Sequence, residues 1–291
     1  MQKQDIAALL AGLAAASIWG GMYVVSKVVL EVVPPFALLT MRLGMGVLTL
    51  GAAIYFRKNK PVFTREQFWM SLLVGFVGYG ISLGFQFVGT KLSTASNASL
   101  VTSATPAFVL LFAPFLLGEQ ATTRRIVALV ISTLGVIAVI DPRNAELSPS
   151  LFWGNMSLLA AALTWSLYSV LVRRVARSAD LLTSSAVMFL GGLPSSLAFG
   201  LWELNTQGIG EITVGIVGGL LFLGIVSTAI ATLLWNYAFA KLPAAVASLT
   251  FFAQPVVGTL LGWFFLAETI TPLFLAGGVL IGAGILIATR E

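Results

Sequence analysis

Residues 105 to 119 read TPAFVLLFAPFLLGE and residues 254 to 268 read QPVVGTLLGWFFLAE, so proline, leucine, phenylalanine, leucine and glutamate recur in register 149 positions apart. The likeness runs outward from both copies. ASL precedes each (98 to 100 and 247 to 249), and Gly135 and Gly284 each follow the glutamate by sixteen residues. Upstream, FQFVGTKL (85 to 92) matches WNYAFAKL (235 to 242), and WGGMYVVSK (19 to 27) matches WSLYSVLVRR (165 to 174). The chain therefore divides into two related halves, 1–145 and 146–291.

The solvent for which these halves are built follows from composition. Of 291 residues, 58% are hydrophobic and 9% charged, with mean hydropathy +0.98, whereas soluble domains carry about one quarter charged residues. A bilayer core about 30 Å thick takes roughly 20 apolar residues per helical crossing. The hydropathy pattern predicts ten such crossings, at 6–29, 36–56, 68–89, 95–117, 124–140, 151–172, 182–202, 213–239, 244–266 and 272–289. No run alternates with period two, which excludes a barrel. The expected fold is an all-α integral membrane protein. Five spans per half is an odd number, so the second half enters the membrane from the opposite face, giving two five-helix inverted repeats around a central cavity. Inverted repeats allow two near-equivalent packings, one open to each side, with the binding site near the midplane at the repeat interface.

The net charge of +5 does not point to nucleic acid, because the basic residues sit at span ends, as topology signals do. With the N-terminus inside, twelve of the sixteen lie on the cytoplasmic side, so both termini are expected there. Lys27, Lys91 and Arg143 fall outside, and Arg42 falls within the second span. The opening MQKQDIAALLAGLAAAS has the look of a signal peptide, but the residues just after it have a partner in the second half, so it is expected to be retained.

Several chemistries lack their residues. There is no cysteine and no histidine, so neither thiol chemistry nor a serine–histidine or zinc-protease arrangement can be assembled. No GxxxxGK[ST] phosphate loop is present. No aspartate or glutamate lies in the middle of a predicted span, where proton-coupled antiporters place a titrating carboxylate. The expectation is transport without a cofactor, either facilitated or coupled through other groups. A receptor or scaffold remains the alternative, although it has no need of a duplicated core.

Pro106 and Pro255 lie about eleven residues into their spans, or ~16 Å at 1.5 Å per residue, near the membrane middle. Each removes a backbone donor, leaving the carbonyl four residues earlier (Thr102, Phe251) free to accept from a substrate. They read as hinges or as static bends. Trp19 and Trp165 fall at similar depths on opposite sides of the midplane, too deep for an interfacial belt unless the helices tilt strongly, and are expected to line the cavity. Tyr23, Tyr79, Phe85, Gln86, Tyr168, Trp235, Asn236 and Tyr237 are further candidates, each with ordinary helix packing as its alternative. Flat rings with one polar group suit amino acids with apolar or aromatic side chains. Ser99, Thr102, Ser103, Thr250 and Gln254 must face protein or water, either binding an α-amino or carboxylate group or bridging helices. Arg42 either snorkels to the outer headgroups or faces the cavity mouth and attracts a carboxylate; Lys27 has the same two readings. Glu119 and Glu268 are expected to cap the next helix in each half. Gly258 with Gly262 and Gly278 with Gly282 allow close helix approach, within one chain or between two copies, so monomer and homodimer both stay open.

Ten spans arranged as five plus five, tryptophan in the first and sixth, and the proline-to-glutamate run ending the fourth and ninth resemble the EamA-type transporters of the drug/metabolite transporter superfamily. Within that group the chain looks most similar to bacterial aromatic amino-acid exporters of the YddG type. The resemblance covers nearly the whole sequence. It implies export of amino acids or related small metabolites across the bacterial inner membrane, through a cavity lined by spans one, three, four, six, eight and nine. Efflux of cationic drugs is the alternative it leaves, weakened by the lack of a membrane carboxylate to pair with them.

Overall fold

The computed structural model describes residues 3–59, 61–93, 98, 101–140, 151–266 and 272–289, and every regular element among them is helical. Spans 1 and 2 are Lys3–Leu30 and Pro35–Tyr55, and span 3 runs from Arg65 to Leu92. Span 4 is continuous from Thr105 to Leu117, and span 5 is Thr123–Ile140. In the second half, spans 6 and 7 are Phe152–Val175 and Leu181–Gln207, span 8 runs from Val214 to Lys241, span 9 from Ala244 to Leu266, and span 10 is Pro272–Thr289. Among the described residues, six of these helices are long and apolar enough to cross a membrane unaided.

Spans 4 and 9 both depart from regular α-helix where the sequence suggested a kink. In span 9, Ala244–Leu249 tightens into a 3-10 turn at Thr250–Phe252 and returns to α-helix at Ala253–Leu266, with the backbone helical throughout. In span 4, Val101 and Thr102 are helical, the chain turns at Ser103 and Ala104, and a helix restarts at Thr105. Pro106 therefore sits in the first turn of the helix that restarts at Thr105, where a missing N–H costs nothing and the fixed φ suits the start, whereas Pro255 follows the 3-10 turn inside span 9. The Thr102 carbonyl is not exposed as expected, because the Thr105 hydroxyl donates to it at 2.7 Å.

A second pair of irregularities is matched between the halves. Span 3 is π-helical over Phe76–Ser82 and span 8 over Phe222–Ile230, with starts 146 residues apart. At the end of each, an amide reaches back five residues instead of four: Leu83 to the Gly78 carbonyl, Ala231 to that of Val226. The extra residue per turn rotates the C-terminal part of each span relative to its N-terminal part, and such bulges cluster at functional sites.

The packing joins the two halves. Span 1 lies against spans 8 and 9, and span 6 against spans 3 and 4; span 2 pairs with span 7, and span 5 with span 10. Exchanging the halves maps this set onto itself, as a pseudo-twofold requires. Among the described residues the buried apolar side chains of both halves form one cluster. Small residues permit the closest crossings: a Cβ on Gly20 would lie 2.6 Å from the Gln254 carbonyl of span 9, and one on Gly135 2.7 Å from that of Gly277 in span 10. Gly278 and Gly282 do not serve this purpose, since a Cβ on either would meet open space.

Charged residues fasten the helix ends. Glu203, almost fully buried, accepts the Phe36 and Ala37 amides at 2.7 and 3.1 Å, tying the end of span 7 to the start of span 2. At the other end of that pair, Asp180 caps its own helix through Thr183 and bridges to Arg57 at 2.8 Å. Burial alone would raise the Asp180 carboxyl, but the bonds from Arg57 and Thr183 outweigh it and hold it below the ordinary carboxylate range.

Candidate functional site

Between the span 1/8/9 group and the span 6/3/4 group lies a cavity whose empty space, open mouth included, is about 500 Å³. Its walls come from spans 1, 3, 4, 6, 8 and 9, and Arg42 adds span 2.

The centre is aromatic. Trp19 and Trp165, paired by the duplication, meet edge to face with ring centroids 5.5 Å apart. Trp235 and Phe251 extend the cluster behind Trp19, and Tyr79 and Tyr168 behind Trp165. The two indoles differ in one respect. Trp19 Nε1 donates to the Ser227 carbonyl at 2.9 Å, inside the π-helical segment of span 8. Trp165 Nε1 is buried and has no partner among the described residues.

Two hydrogen-bond relays flank the rings. Gln86 Nε2 donates to the Tyr23 hydroxyl at 2.8 Å, and the Thr102 hydroxyl spends its hydrogen on the Ala98 carbonyl, so Tyr23 must donate to Thr102 Oγ1 at 3.0 Å. The second relay runs from the Tyr79 hydroxyl to Tyr168, on to Asn236 Oδ1 at 2.9 Å, and from Asn236 Nδ2 to Ser185 Oγ at 3.0 Å. Gln86 keeps its Oε1 unpaired among the described residues, and so does Gln254 both amide atoms, although it lies beside the Tyr23 hydroxyl.

Arg42 does not reach the bundle exterior; it is 2% exposed and lines the cavity. Its Nε donates to Thr228 Oγ1 at 2.9 Å, its Nη2 to Ser227 Oγ at 3.2 Å and weakly to Met22 Sδ at 3.5 Å, and the guanidinium carbon stands 4.9 Å from the Phe87 ring centroid. Nη1 is buried without a partner among the described residues. None of the described cavity-lining residues is acidic.

Of the residues singled out from sequence, Trp19, Tyr79, Gln86, Thr102, Trp165, Gln254 and Arg42 line the cavity. Tyr23, Tyr168, Trp235 and Asn236 are buried directly behind its wall, as the relays and ring contacts show. Thr250 is buried with its hydroxyl on the Ala247 carbonyl at 2.7 Å. Phe85 is 42% exposed, away from the cavity, and Tyr237 packs half-buried against the core. Ser99 and Glu268 lie outside the described residues. Lys27 stands at the end of span 1, where its Nζ donates to the Thr90 and Ser93 carbonyls at 3.3 and 3.0 Å and closes the C-terminus of span 3. Its counterpart by the 146-residue offset is Arg173, whose Nη1 donates to the Phe239 and Leu242 carbonyls ending span 8.

Glu119 caps, though not the next helix in sequence. Gly118, at φ 70°, stops span 4 in the left-handed conformation. Glu119 then accepts the Ala244 amide that opens span 9, at 2.8 Å, and forms an ion pair with Arg173 at 2.6 Å. Ser227 and Thr228, which hold Arg42, went unmarked in the sequence. They are an adjacent hydroxyl pair in an otherwise apolar run, and that was the available signal.

The comparisons with known proteins agree with this architecture. The chain is 27% identical over 277 residues to an uncharacterized transporter, YoaV, of Bacillus subtilis (94% of this chain, 93% of that one). It is 28% identical over 284 residues to a probable amino-acid metabolite efflux pump of Salmonella typhimurium (93% and 90%). A solved crystal structure at 24% identity superposes with a TM-score of 0.79, covering 97% of this chain and 96% of that chain, and shows the same fold. The EamA-like transporter family matches twice, over residues 6–140 and 152–290, and the chain belongs to that family.

Proposed function

We propose that this protein is an alternating-access secondary transporter that exports amino acids, including aromatic or other apolar ones, and related small metabolites from the cytoplasm. The observation that carries this reading is the aromatic cavity at the contact of the duplicated halves, with Trp19 and Trp165 meeting across it. Span 4 is interrupted, and span 9 tightens to a 3-10 turn, where they meet its wall at Thr105 and Gln254, and transporter binding sites often form on such discontinuous helices. The repeats 1–145 and 146–291 would not move as separate bodies. Spans 1, 8 and 9 form one group and spans 6, 3 and 4 the other, and rocking of one group against the other would expose the cavity to either face. The membrane is the bacterial inner membrane, with both termini cytoplasmic. The relative from Salmonella, a probable amino-acid metabolite efflux pump, supports the substrate class. The unpaired arginine nitrogen and the lack of an acid among the described lining residues count against cationic drugs.

Purified protein in liposomes loaded with a panel of labelled amino acids tests the proposal. Efflux of some and not others is expected, with the rate falling in correctly folded Trp165→Ala protein. Absence of flux for every amino acid and metabolite tested would refute it.

A further inference from the structure

We propose that the transported molecule is recognised by a carboxylate held on Arg42, so that the cavity takes small organic monocarboxylates with an apolar body, and that an α-ammonium group is not required. This deepens the transport reading and rests on the same cavity.

The charge arrangement is the first ground. A guanidinium cannot shed its proton to relieve burial, and a buried charge without a counter-charge is costly. Arg42 is nevertheless held in place by three neutral acceptors, with Nη1 facing no partner and no acid among the described lining residues. Partial neutralisation comes from the Phe87 ring face. A bound carboxylate supplies the missing counter-charge and forms a charge-assisted bond to Nη1. One guanidinium balances one negative charge, which favours a monoanion over a phosphate dianion.

The remaining unpaired groups indicate the rest of the ligand. Trp165 Nε1 and Gln254 Nε2 are further buried donors without partners among the described residues, and the helix that restarts at Thr105, itself a lining residue, brings the positive end of its dipole to the cavity. Gln86 Oε1 and Gln254 Oε1 can accept an N–H but carry no charge, so they serve an amide or indole N–H as well as an ammonium. The indole and phenol faces of Trp19, Trp165 and Tyr79 fit an apolar or aromatic body.

Four probes sharing one ring separate the possibilities: 3-phenylpropionate, N-acetylphenylalanine, phenylalanine and phenethylamine. Binding is read from the thermal shift of the detergent-solubilised full chain and transport from counterflow in proteoliposomes. The three carboxylates are expected to stabilise the protein and phenethylamine not. Arg42→Gln should weaken carboxylate binding roughly 10- to 100-fold, and Arg42→Lys should retain part of it. Wild-type protein that binds phenethylamine as well as the carboxylates, that binds phenylalanine but neither of the two acids lacking an ammonium, or that binds none of the four overturns the inference. So does folded Arg42→Gln protein with undiminished affinity; should that variant fail to fold, the wild-type panel and Arg42→Lys decide. Carboxylate binding without flux would sink the transport reading and leave this one standing. Flux of phenethylamine alone would do the reverse.

Discussion

At the scale of single residues, chemically alike side chains have unlike tasks here. Trp19 and Trp165 occupy equivalent places, yet one indole N–H is spent on the Ser227 carbonyl and the other is unpaired among the described residues. Trp19→Phe should therefore lower thermal stability by about 1 kcal/mol, the worth of one hydrogen bond. Trp165→Phe should leave the melting temperature of the solubilised protein unchanged and alter ligand binding instead. Arg42 shows why sequence left two readings open. Its depth was legible, but an arginine six residues inside a helix end is long enough to snorkel. Only the neighbouring hydroxyls of Ser227 and Thr228 decide that it turns inward. Phe85 erred for a different reason. The sequence match paired it with Trp235 at an offset of 150, whereas the acceptors of Lys27 and Arg173 pair at 149. A slip of one residue turns a helix position by about 100°, enough to move it from the cavity to the outer surface.

At the scale of elements, the two prolines differ in setting: Pro106 follows a tight turn and opens a new helix, Pro255 follows a 3-10 turn inside span 9, and hydrophobic periodicity does not distinguish either from a simple bend. The π-helical segments Phe76–Ser82 and Phe222–Ile230 were not legible, because residue type does not announce a hydrogen bond that reaches back five residues instead of four. Glycines divide in a way their spacing does not reveal. Gly135 and Gly284, matched in the duplication, lie at the crossing of spans 5 and 10, whereas Gly278 and Gly282 face outward. Gly135→Leu should destabilise the protein by roughly 1–3 kcal/mol through overpacking, while Gly282→Leu should be neutral. Thermal unfolding in detergent of the two variants side by side checks this.

At the scale of the molecule, the two helix groups are latched at both ends of the cavity. Arg173 and Glu119, from the span 6/3/4 group, hold the carbonyls ending span 8 and the first amide of span 9. Lys27, from the span 1/8/9 group, holds the carbonyls ending span 3. On the proposed rocking motion each end of the cavity has its own closure, so weakening one should bias opening toward that end. With no native cysteine, Ala161→Cys supplies a single reporter in the cavity wall. Added Glu119→Gln is expected to raise its labelling by impermeant thiol reagents from the face bearing Arg173, and added Lys27→Met from the opposite face. Equal labelling from both faces in each variant would count against the latches.

Hydropathy by itself determined the membrane environment and the ten helical spans, because span length and apolar content are set by the bilayer and are linear in the chain, and the recurring residues determined the duplication. The place of Trp19, Trp165, Pro106 and Pro255 along their helices was legible as well, because distance along a helix is residue number times rise. Azimuth was not. Which side of a helix faces the cavity, which half-helix begins at a turn, and which carbonyl Lys27 or which amide Glu119 reaches depend on contacts between spans far apart in sequence. Only the tertiary structure could decide them, since in an all-apolar helix no polar stripe marks the inward face.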